Sequence, residues 1–371
     1  MTLFEKLNKE IFLKNYWEQK PLVVEKLLDH PEELITISDL TDMSENEYFE
    51  TRVVLENNNV MSVTHGPLDL EEIKKNNNYW TLINHNVNLY STELMKLQKQ
   101  LEFVPAWLFD DAMTTYSNDG SSVGAHIDNY NVFIIQLLGK RQWQLQYKPD
   151  PTYKEGLDIK ILKEFHPDET HILSPGDMIY IPPHVAHEGK SIGDSLSLSL
   201  GFKSLEDKAL MEQLAIDLVN EFQSDDFYKT KFNQKVDDPF VLEDDLLSEI
   251  KQRVIHKLDE YSLIENAILK FTSSSKRNTT SCDLDKDEFF SLLKKQPLFK
   301  DEFMRLSAIK KDKTYECAIN EKIYSLTPTQ YSYAKKLYAL TCEEEIFKQD
   351  LNELNDLLYD LTLQGVLFFD S

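Results

Sequence analysis

The stretch AHIDNYNVFIIQLLGKRQWQLQY, residues 125–147, decides the fold. It opens with His126-Ile127-Asp128 and continues into an apolar segment that ends at Gly139. From Arg141 to Tyr147, glutamines then alternate strictly with other, mostly apolar side chains. A period of two predicts a strand with one face in the core. Short strands separated by turns and carrying histidine and aspartate favour a double-sheet jelly roll of the cupin kind, within an α+β chain.

His126 and Asp128 are the first two candidates for a metal site. Alternate side chains of an extended segment share a face, so both point the same way while Ile127 points away. His187 follows about sixty residues later, after the strand-like run Tyr180-Ile181-Pro182-Pro183. Two histidines and one carboxylate hold non-haem Fe(II) on one side and leave the opposite positions open. The sequence therefore predicts an iron site at His126, Asp128 and His187.

A second histidine competes for the third ligand position. His184 lies three residues before His187, and spacing alone does not separate them. We prefer His187 because Glu188-Gly189 follows it before the chain re-enters the sheet. For the other histidines we expect ordinary core or surface roles.

Arg141 is the strongest candidate for ligand binding outside the metal site. Strand parity places it on one face with Trp143, Leu145 and Tyr147. A cation on an apolar face is costly unless it is paired, and no acidic residue of matching parity lies nearby. A guanidinium grips a carboxylate through two parallel hydrogen bonds, so an acidic ligand inside the barrel would fit. The alternatives are an arginine that reaches solvent from the strand start and, more weakly, Lys140 as the anchor.

Two polar patterns leave their interpretation open. Ser195, Ser197 and Ser199 alternate with leucines, and their face is either exposed or the polar lining of a pocket. Asp110-Asp111 forms either an acidic rim that attracts a basic side chain or an ordinary solvated turn.

The amino-acid composition restricts the partners and the location that we expect for the protein. The 371 residues carry a formal net charge of −24, and a surface this acidic disfavours nucleic acid and favours a basic partner. No apolar run is long enough for a membrane span. Three cysteines (Cys282, Cys317 and Cys342) without paired spacing indicate free thiols, and with no secretory signal we expect a cytoplasmic protein.

The hydrophobic periodicity divides the chain into three parts. Residues 1–203 contain N-terminal helices and then the strands, with a helical period expected from Glu71 to Gln100. Residues 204–271 show a helical spacing suited to a hairpin that packs against a second copy. After a polar linker at 272–281, residues 282–371 combine helices with a strand-turn-strand signal near Tyr315 to Leu326. A small winged-helix-like domain fits this last part.

Taken together, the motifs resemble those of the JmjC-type ribosomal oxygenases. The segments that carry the likeness are His126 to Gln136, Gly139 to Trp143, Pro175 to Pro183 and His187-Glu188-Gly189. It extends to Tyr16 to Pro21, Thr64 to Pro67, Trp107 to Asp111 and the ending Gly365 to Phe369. The bacterial branch, which hydroxylates an arginine of a large-subunit ribosomal protein, is the most similar.

The resemblance implies a JmjC-type cupin domain, a helical dimerisation region and a winged-helix-like C-terminal domain. It implies Fe(II) at His126, Asp128 and His187, with 2-oxoglutarate as cosubstrate and O2 as oxidant. The distal carboxylate of 2-oxoglutarate would meet Arg141 and the hydroxyl of Thr115. The chain departs from the family at Leu137-Leu138, where small residues are usual, and at His184, where glycine is usual. These departures bear on the shape of the pocket.

The resulting hypothesis is an Fe(II)- and 2-oxoglutarate-dependent protein hydroxylase that forms a homodimer. A basic ribosomal protein is the expected substrate, with arginine as the leading target and histidine second. One rival is an iron cupin that acts on a small molecule. Another is a non-catalytic binding module, which has no need of a complete ligand set.

Overall fold

The computed structural model describes residues 6–57, 60–75, 79–157, 159–222, 240, 242, 244–260, 262–277, 279–341, 344–346 and 354–369. The chain separates into two compact units, Met1–Ser204 and Leu205–Ser371.

In its described residues, the first unit combines four α-helices with a large antiparallel sheet. The helices are α1 (Lys9–Asn15), α2 (Ile37–Glu45), α3 (Leu70–Lys75) and α4 (Thr92–Lys99). The strands are β1 (Leu22–Val24), β2 (Thr51–Asn57), β3 (Val60–His65), β4 (Tyr79–Asn84), β5 (Phe109–Ser117), β6 (Tyr130–Gln146), β7 (Glu169–Leu173), β8 (Met178–Ile181) and β9 (Ala186–Lys203). Among the described residues they pair in the order β1-β8-β6-β9-β5-β4-β2-β3, with β7 beside β6. The predicted cupin-type architecture of antiparallel strands is confirmed.

The first half of β6, residues 131–137, is buried on both faces, which explains its continuous apolar run. Phe133 and Ile135 pack into the larger core, beneath helices such as α1 and α2. Val132 and Ile134 alternate with them and belong to a smaller cluster that also contains Trp143 and Leu145. A strand that is covered on both sides has no polar face, so its sequence does not alternate.

Two irregularities in the β6–β9 ladder change which residues face the smaller cluster. The register shifts between Gln136 and Leu138 and again between Leu138 and Lys140. Even-numbered residues such as Ile134 face the smaller cluster before the shifts, and odd-numbered residues such as Trp143 face it afterwards. Gly139 lies within this stretch at φ +65°, a left-handed conformation that glycine adopts readily. The shifts thereby place Arg141 on the same face as Ile134.

We expected a helical period from Glu71 to Gln100, but only the two ends of this segment are helical. Helices α3 and α4 occupy those ends, but Tyr79–Asn84 between them is β4, paired with β2 and β5. All of β4 after Tyr79 is buried. Tertiary pairing decides the conformation of such a short apolar segment, and periodicity does not distinguish it from a helix.

The second unit begins with helices and ends in a small mixed domain. Helices α5 (Asp207–Asn220), α6 (Asp244–Glu260) and α7 (Leu263–Thr272) are followed by α8 (Lys286–Lys295), α9 (Pro328–Ala339) and α10 (Asn355–Leu363). Strands β11 (Leu306–Lys310), β12 (Tyr315–Ile319) and β13 (Lys322–Leu326) form one sheet, and β10 (Leu298–Lys300) pairs with β14 (Leu367–Phe369). The strand-turn-strand signal near Tyr315 corresponds to β12 and β13.

The cysteines and the helices add two findings. Cys282 is exposed and Cys317 is buried, and both are free thiols, whereas Cys342 lies outside the described residues. Among the described helices, none is both long and apolar enough to cross a membrane.

Two glycines of the β6–β9 ladder provide a matched test of the register shift. A Cβ on Gly139 would lie 2.0 Å from the carbonyl oxygen of Asp194, whereas one on Gly193 (φ +69°) would meet nothing within 4 Å. Gly193→Ala should cost about 1 kcal/mol of unfolding free energy for the backbone conformation alone. Gly139→Ala should cost about 2–4 kcal/mol, because the clash adds to the same backbone cost.

Urea unfolding followed by tryptophan fluorescence measures both variants. The four tryptophans (Trp17, Trp80, Trp107 and Trp143) all belong to the first unit, so the signal reports on that unit. Equal losses for the two variants would contradict the steric explanation.

Candidate metal centre

The backbone brings His126 and His187 face to face. His126 N donates to His187 O at 3.1 Å, and His187 N donates to His126 O at 2.9 Å. Two residues that exchange both hydrogen bonds lie directly opposite each other in an antiparallel pair, with their side chains on one side. The two imidazole rings accordingly lie 4.3 Å apart between centroids.

Asp128 completes a compact group of three donors. Its Oδ2 lies 3.7 Å from His126 Nε2 and 3.5 Å from His187 Nε2. One ligand atom from each residue lies within 4.8 Å of the others. Three ligands that occupy one face of an octahedron at about 2.1 Å from a metal would be about 3 Å apart. The three donor atoms therefore need to move only slightly closer together to bind one metal ion. The donor set fits a divalent transition metal.

A hydrogen bond at Nδ1 of each histidine ring orients Nε2 toward the centre. His126 Nδ1 lies 2.9 Å from Gly124 O, and His187 Nδ1 lies 3.0 Å from Val185 O. A carbonyl only accepts, so each Nδ1 carries the hydrogen and each Nε2 presents a lone pair. Burial, together with the neighbouring His126, lowers the pKa of His187 to about 4. His187 is therefore neutral near pH 7, the form that binds metals.

The centre is closed on one side and open on the other. The His187 side chain is 3% exposed, whereas those of His126 and Asp128 are 26% and 18% exposed. Tyr130 hydrogen-bonds Asp128, and its burial and this carboxylate raise the pKa of its hydroxyl. The phenol therefore stays protonated and donates to the carboxylate. A substrate would approach from the side of His126 and Asp128.

His184, the competing third ligand, does not join the group. It is exposed, and its φ of +66° is the left-handed conformation that glycine usually adopts. Its backbone N–H donates to Asp128 O at 2.9 Å. The histidine at this position thus keeps a glycine-like turn, and its contact with the centre is through the backbone.

Arg141 is buried on the same ladder as His187, and the described residues supply no carboxylate to pair with it. It is 3% exposed, and in the described part of the chain no acidic group lies within ion-pair distance of it. Nη2 donates to Ser117 Oγ at 2.6 Å, to Ser195 Oγ at 3.1 Å and to Ser191 Oγ at 3.2 Å, while Nε donates to Ser195 Oγ at 3.2 Å. No hydrogen bond from Nη1 is found among the described residues. Burial lowers the pKa of Arg141 to about 10, so it remains a cation at neutral pH.

The hydroxyl groups around Arg141 resolve the open question of the serine stripe. Ser195, Ser197 and Ser199 are all buried, and Ser197 donates to Gln136 at 2.8 Å. The stripe therefore lines an interior rather than facing solvent. Ser117 and Ser191 were not foreseen. Strand parity with Thr115 could have indicated Ser117, but Ser191 becomes visible only from the register, which places it opposite Arg141.

The remaining sequence candidates take different positions. Thr115 is buried on β5, opposite Ser197, and so lies on the strand face that carries Ser117. Lys140 is exposed. Tyr147 was expected on the buried face but lies one residue beyond β6 and is 39% exposed, because the strand ends at Gln146.

The acidic pair Asp110-Asp111 is engaged in contacts within the fold. Asp111 lies 2.6 Å from His85 Nδ1 and accepts from Asn86 N at 2.8 Å. Asp110 lies 3.5 Å from Lys203 Nζ. Both open interpretations of the pair overlooked these local partners.

Comparison with known families identifies the domain that contains this centre. The model of the JmjC domain family matches residues 96–210, which include all three donors and Arg141. The chain carries a JmjC domain. The resemblance inferred from the sequence motifs is thereby confirmed.

Curated relatives match about half of the chain. A probable ribosomal oxygenase of Haemophilus influenzae is 33% identical over 205 residues, which cover 54% of this chain and 50% of that protein. The ribosomal protein uL16 3-hydroxylase of Escherichia coli is 29% identical over 213 residues, 56% of each chain. The chain thus spans about half the length of these relatives.

Solved structures resemble the whole chain. A crystal structure of Escherichia coli YcfD matches with a TM-score of 0.78 and 21% identity, over 98% of both chains. A structure of YcfD, described as a ribosomal oxygenase in complex with cobalt and 2-oxoglutarate, matches with a TM-score of 0.76 and 20% identity, over 98% of this chain and 99% of that one. At this identity the likeness establishes the fold.

Replacement of His126 tests the metal centre. We expect the protein to bind one equivalent of Co2+ and His126→Ala to weaken that affinity by at least about 100-fold, since it removes a ligand outright. The visible absorption of Co2+ follows the titration. His184→Ala is the control, since it alters an exposed ring nearby, and it should bind as the unmodified protein does. Equal losses in both variants would refute the assignment of the ligands.

Proposed function

We propose that the protein is an Fe(II)- and 2-oxoglutarate-dependent protein hydroxylase. The observation that carries the proposal is a group of three metal donors near a buried arginine. No carboxylate of the described residues neutralises this arginine, and it lies on the same β6–β9 ladder as His187. Leu145 pairs with His187 and Arg141 pairs with Ser191, so the two features lie four residues apart along β6 and β9. The distance along the strands is roughly 13 Å, and the side chains at both ends shorten the gap.

His126, Asp128 and His187 would hold the iron. One carboxylate and two neutral imidazoles suit Fe(II) and leave adjacent positions open, as other facial triads do. When bound, the iron activates O2 with 2-oxoglutarate as the electron donor, and the products are succinate, CO2 and a hydroxylated substrate. The protein's part is to orient the ligands through the carbonyls of Gly124 and Val185 and to keep water from the His187 side.

Arg141 and Thr115 would hold the distal carboxylate of 2-oxoglutarate. The serine hydroxyls occupy Nη2 and Nε, which leaves the N–H groups of Nη1 for a ligand. A buried cation that lacks a counter-ion binds a carboxylate with a large electrostatic gain. The complex of YcfD with cobalt and 2-oxoglutarate supports the choice of ligand.

A basic ribosomal protein is the proposed substrate, with an arginine as the hydroxylated residue. The named relatives include a ribosomal protein uL16 3-hydroxylase and a probable ribosomal oxygenase. The net charge of −24 supports a basic partner because it favours encounter with cationic segments. Such a substrate would place the protein in the cytoplasm.

The second unit is proposed to provide a homodimer contact at 204–271 and a winged-helix-like domain at 282–371. Helix α5 supports the first role because Met211, Ile216 and Val219 are 52%, 58% and 68% exposed. Large apolar side chains that are exposed on one helix usually mark an interface. The helices and the β12–β13 hairpin support the second role.

Mass spectrometry of ribosomal proteins tests the proposed reaction. Incubation with the full chain, Fe(II), 2-oxoglutarate and O2 should add one oxygen, about 16 mass units, to a specific arginine. His126→Ala should abolish the gain. Arg141→Met should raise the 2-oxoglutarate concentration for half-maximal turnover by at least about 10-fold, since it removes a charge-assisted hydrogen bond.

Other outcomes distinguish the rival hypotheses. A gain on histidine would keep the hydroxylase and replace the target residue. Consumption of 2-oxoglutarate with no modified ribosomal protein would favour another protein or a small molecule as substrate. Absence of both turnover and iron binding would favour a non-catalytic binding module.

Adjacent residues of α5 test the dimer contact. Val219→Glu should raise the dimer dissociation constant by at least about 10-fold, because a charge would be buried without a partner. Asn220→Glu adds the same charge at a polar exposed position and should leave the constant unchanged. Sedimentation equilibrium measures both, and a monomeric unmodified chain would refute the proposal.

A further inference from the structure

Trp143 carries a buried hydrogen-bond donor for which the described residues supply no partner. The side chain is 6% exposed, and its indole Nε1 makes no hydrogen bond within the described part of the chain. Buried indole N–H groups usually find an acceptor, and an unsatisfied one costs about 1–3 kcal/mol. The roles proposed for the triad and Arg141 give no reason for this group.

The position of Trp143 relates it to both parts of the site. It lies on β6 between Arg141 and Leu145, and all three share one face of the strand. Its ring centroid is 6.0 Å from that of His187. The indole therefore lies along the path between the arginine and the triad.

A glycine opposite Trp143 makes room for the ring. Gly189 pairs with Trp143 across the ladder, and a Cβ there would lie only 2.7–2.9 Å from three atoms of the indole. Any larger residue at this position would displace the ring. Val132, Ile134, Leu173 and Ile179, which belong to the same hydrophobic cluster as Trp143, are apolar and offer no acceptor.

We infer that the Trp143 indole N–H donates a hydrogen bond to a carboxylate oxygen of the bound dicarboxylate. The inference rests on the proposed function, since it assigns a third contact to the same ligand. An ionised acceptor in a dry environment offsets the cost of the buried N–H more fully than a neutral one does. Trp143 is thus a binding residue that orients the ligand between Arg141 and the metal.

The proposed contact predicts different effects of one substitution in the free and the bound protein. Trp143→Phe keeps an aromatic ring and removes the N–H. In the free protein the deleted donor is unsatisfied, which offsets the packing lost with the smaller ring, so the melting temperature should change little. With Zn2+ and 2-oxoglutarate, the ligand-induced rise should shrink, and the dissociation constant of 2-oxoglutarate should increase by about 10-fold or more.

Trp80→Phe is the matched control. Trp80 is equally buried, at 4% exposed, but it packs against Tyr116 in the larger core. Its loss should lower the melting temperature by the same amount with and without the ligand. Zn2+ affinity should be unchanged in both variants, because neither residue is a metal ligand.

The indole N–H resonances of the full chain give a readout that is independent of stability. The protein has four tryptophans, so Trp143→Phe identifies the Trp143 signal by its disappearance. Addition of 2-oxoglutarate to the Zn2+-loaded protein should move this signal downfield, as a new hydrogen bond to a carboxylate would.

The outcomes separate this inference from the function on which it rests. If the unmodified protein does not bind 2-oxoglutarate, both are overturned. If it binds and Trp143→Phe binds equally well with an unmoved resonance, the inference fails and the proposed function stands. If Trp143→Phe destabilises the free and bound forms equally, Trp143 has only a packing role and the inference also fails.

Discussion

The antiparallel register of β6 and β9 is the constraint on which the site depends. It sets His187 opposite Leu145 and Ser191 opposite Arg141, so one ladder fixes both ends of the proposed ligand path. A slip of one residue would turn every one of these side chains to the opposite face. The backbone pairing of His126 with His187 extends this register to the H-x-D motif. The chemistry of the site therefore rests on backbone hydrogen bonds.

The JmjC domain was predictable from sequence because its motifs encode local geometry. His126 and Asp128 share a face by strand parity, and the alternation after Gly139 correctly placed Arg141 with Trp143 and Leu145. Both features need only the period of a strand. The JmjC family match confirms the resemblance, while the roles of the individual residues stay predictions.

The parts that sequence did not predict depend on contacts between distant strands. β4 was expected to be helical, since five consecutive buried residues show no period that distinguishes the two structures. Ser191 needed the register to appear beside Arg141. The change of parity between Ile134 and Trp143 arises from two ladder irregularities that only the paired strand defines. Local pattern thus predicted most of the elements, whereas strand pairing decided β4 and the neighbours of each strand.

The interior of the JmjC domain holds several polar groups that its own side chains do not satisfy. Among the residues that the structure describes, Arg141 has no carboxylate partner and Trp143 has no acceptor for its N–H. Each costs free energy in the unliganded protein. A ligand that binds only the folded state adds stability according to its concentration relative to its dissociation constant. The same groups that weaken the free domain would therefore strengthen its complex, so stability and ligand occupancy should rise together.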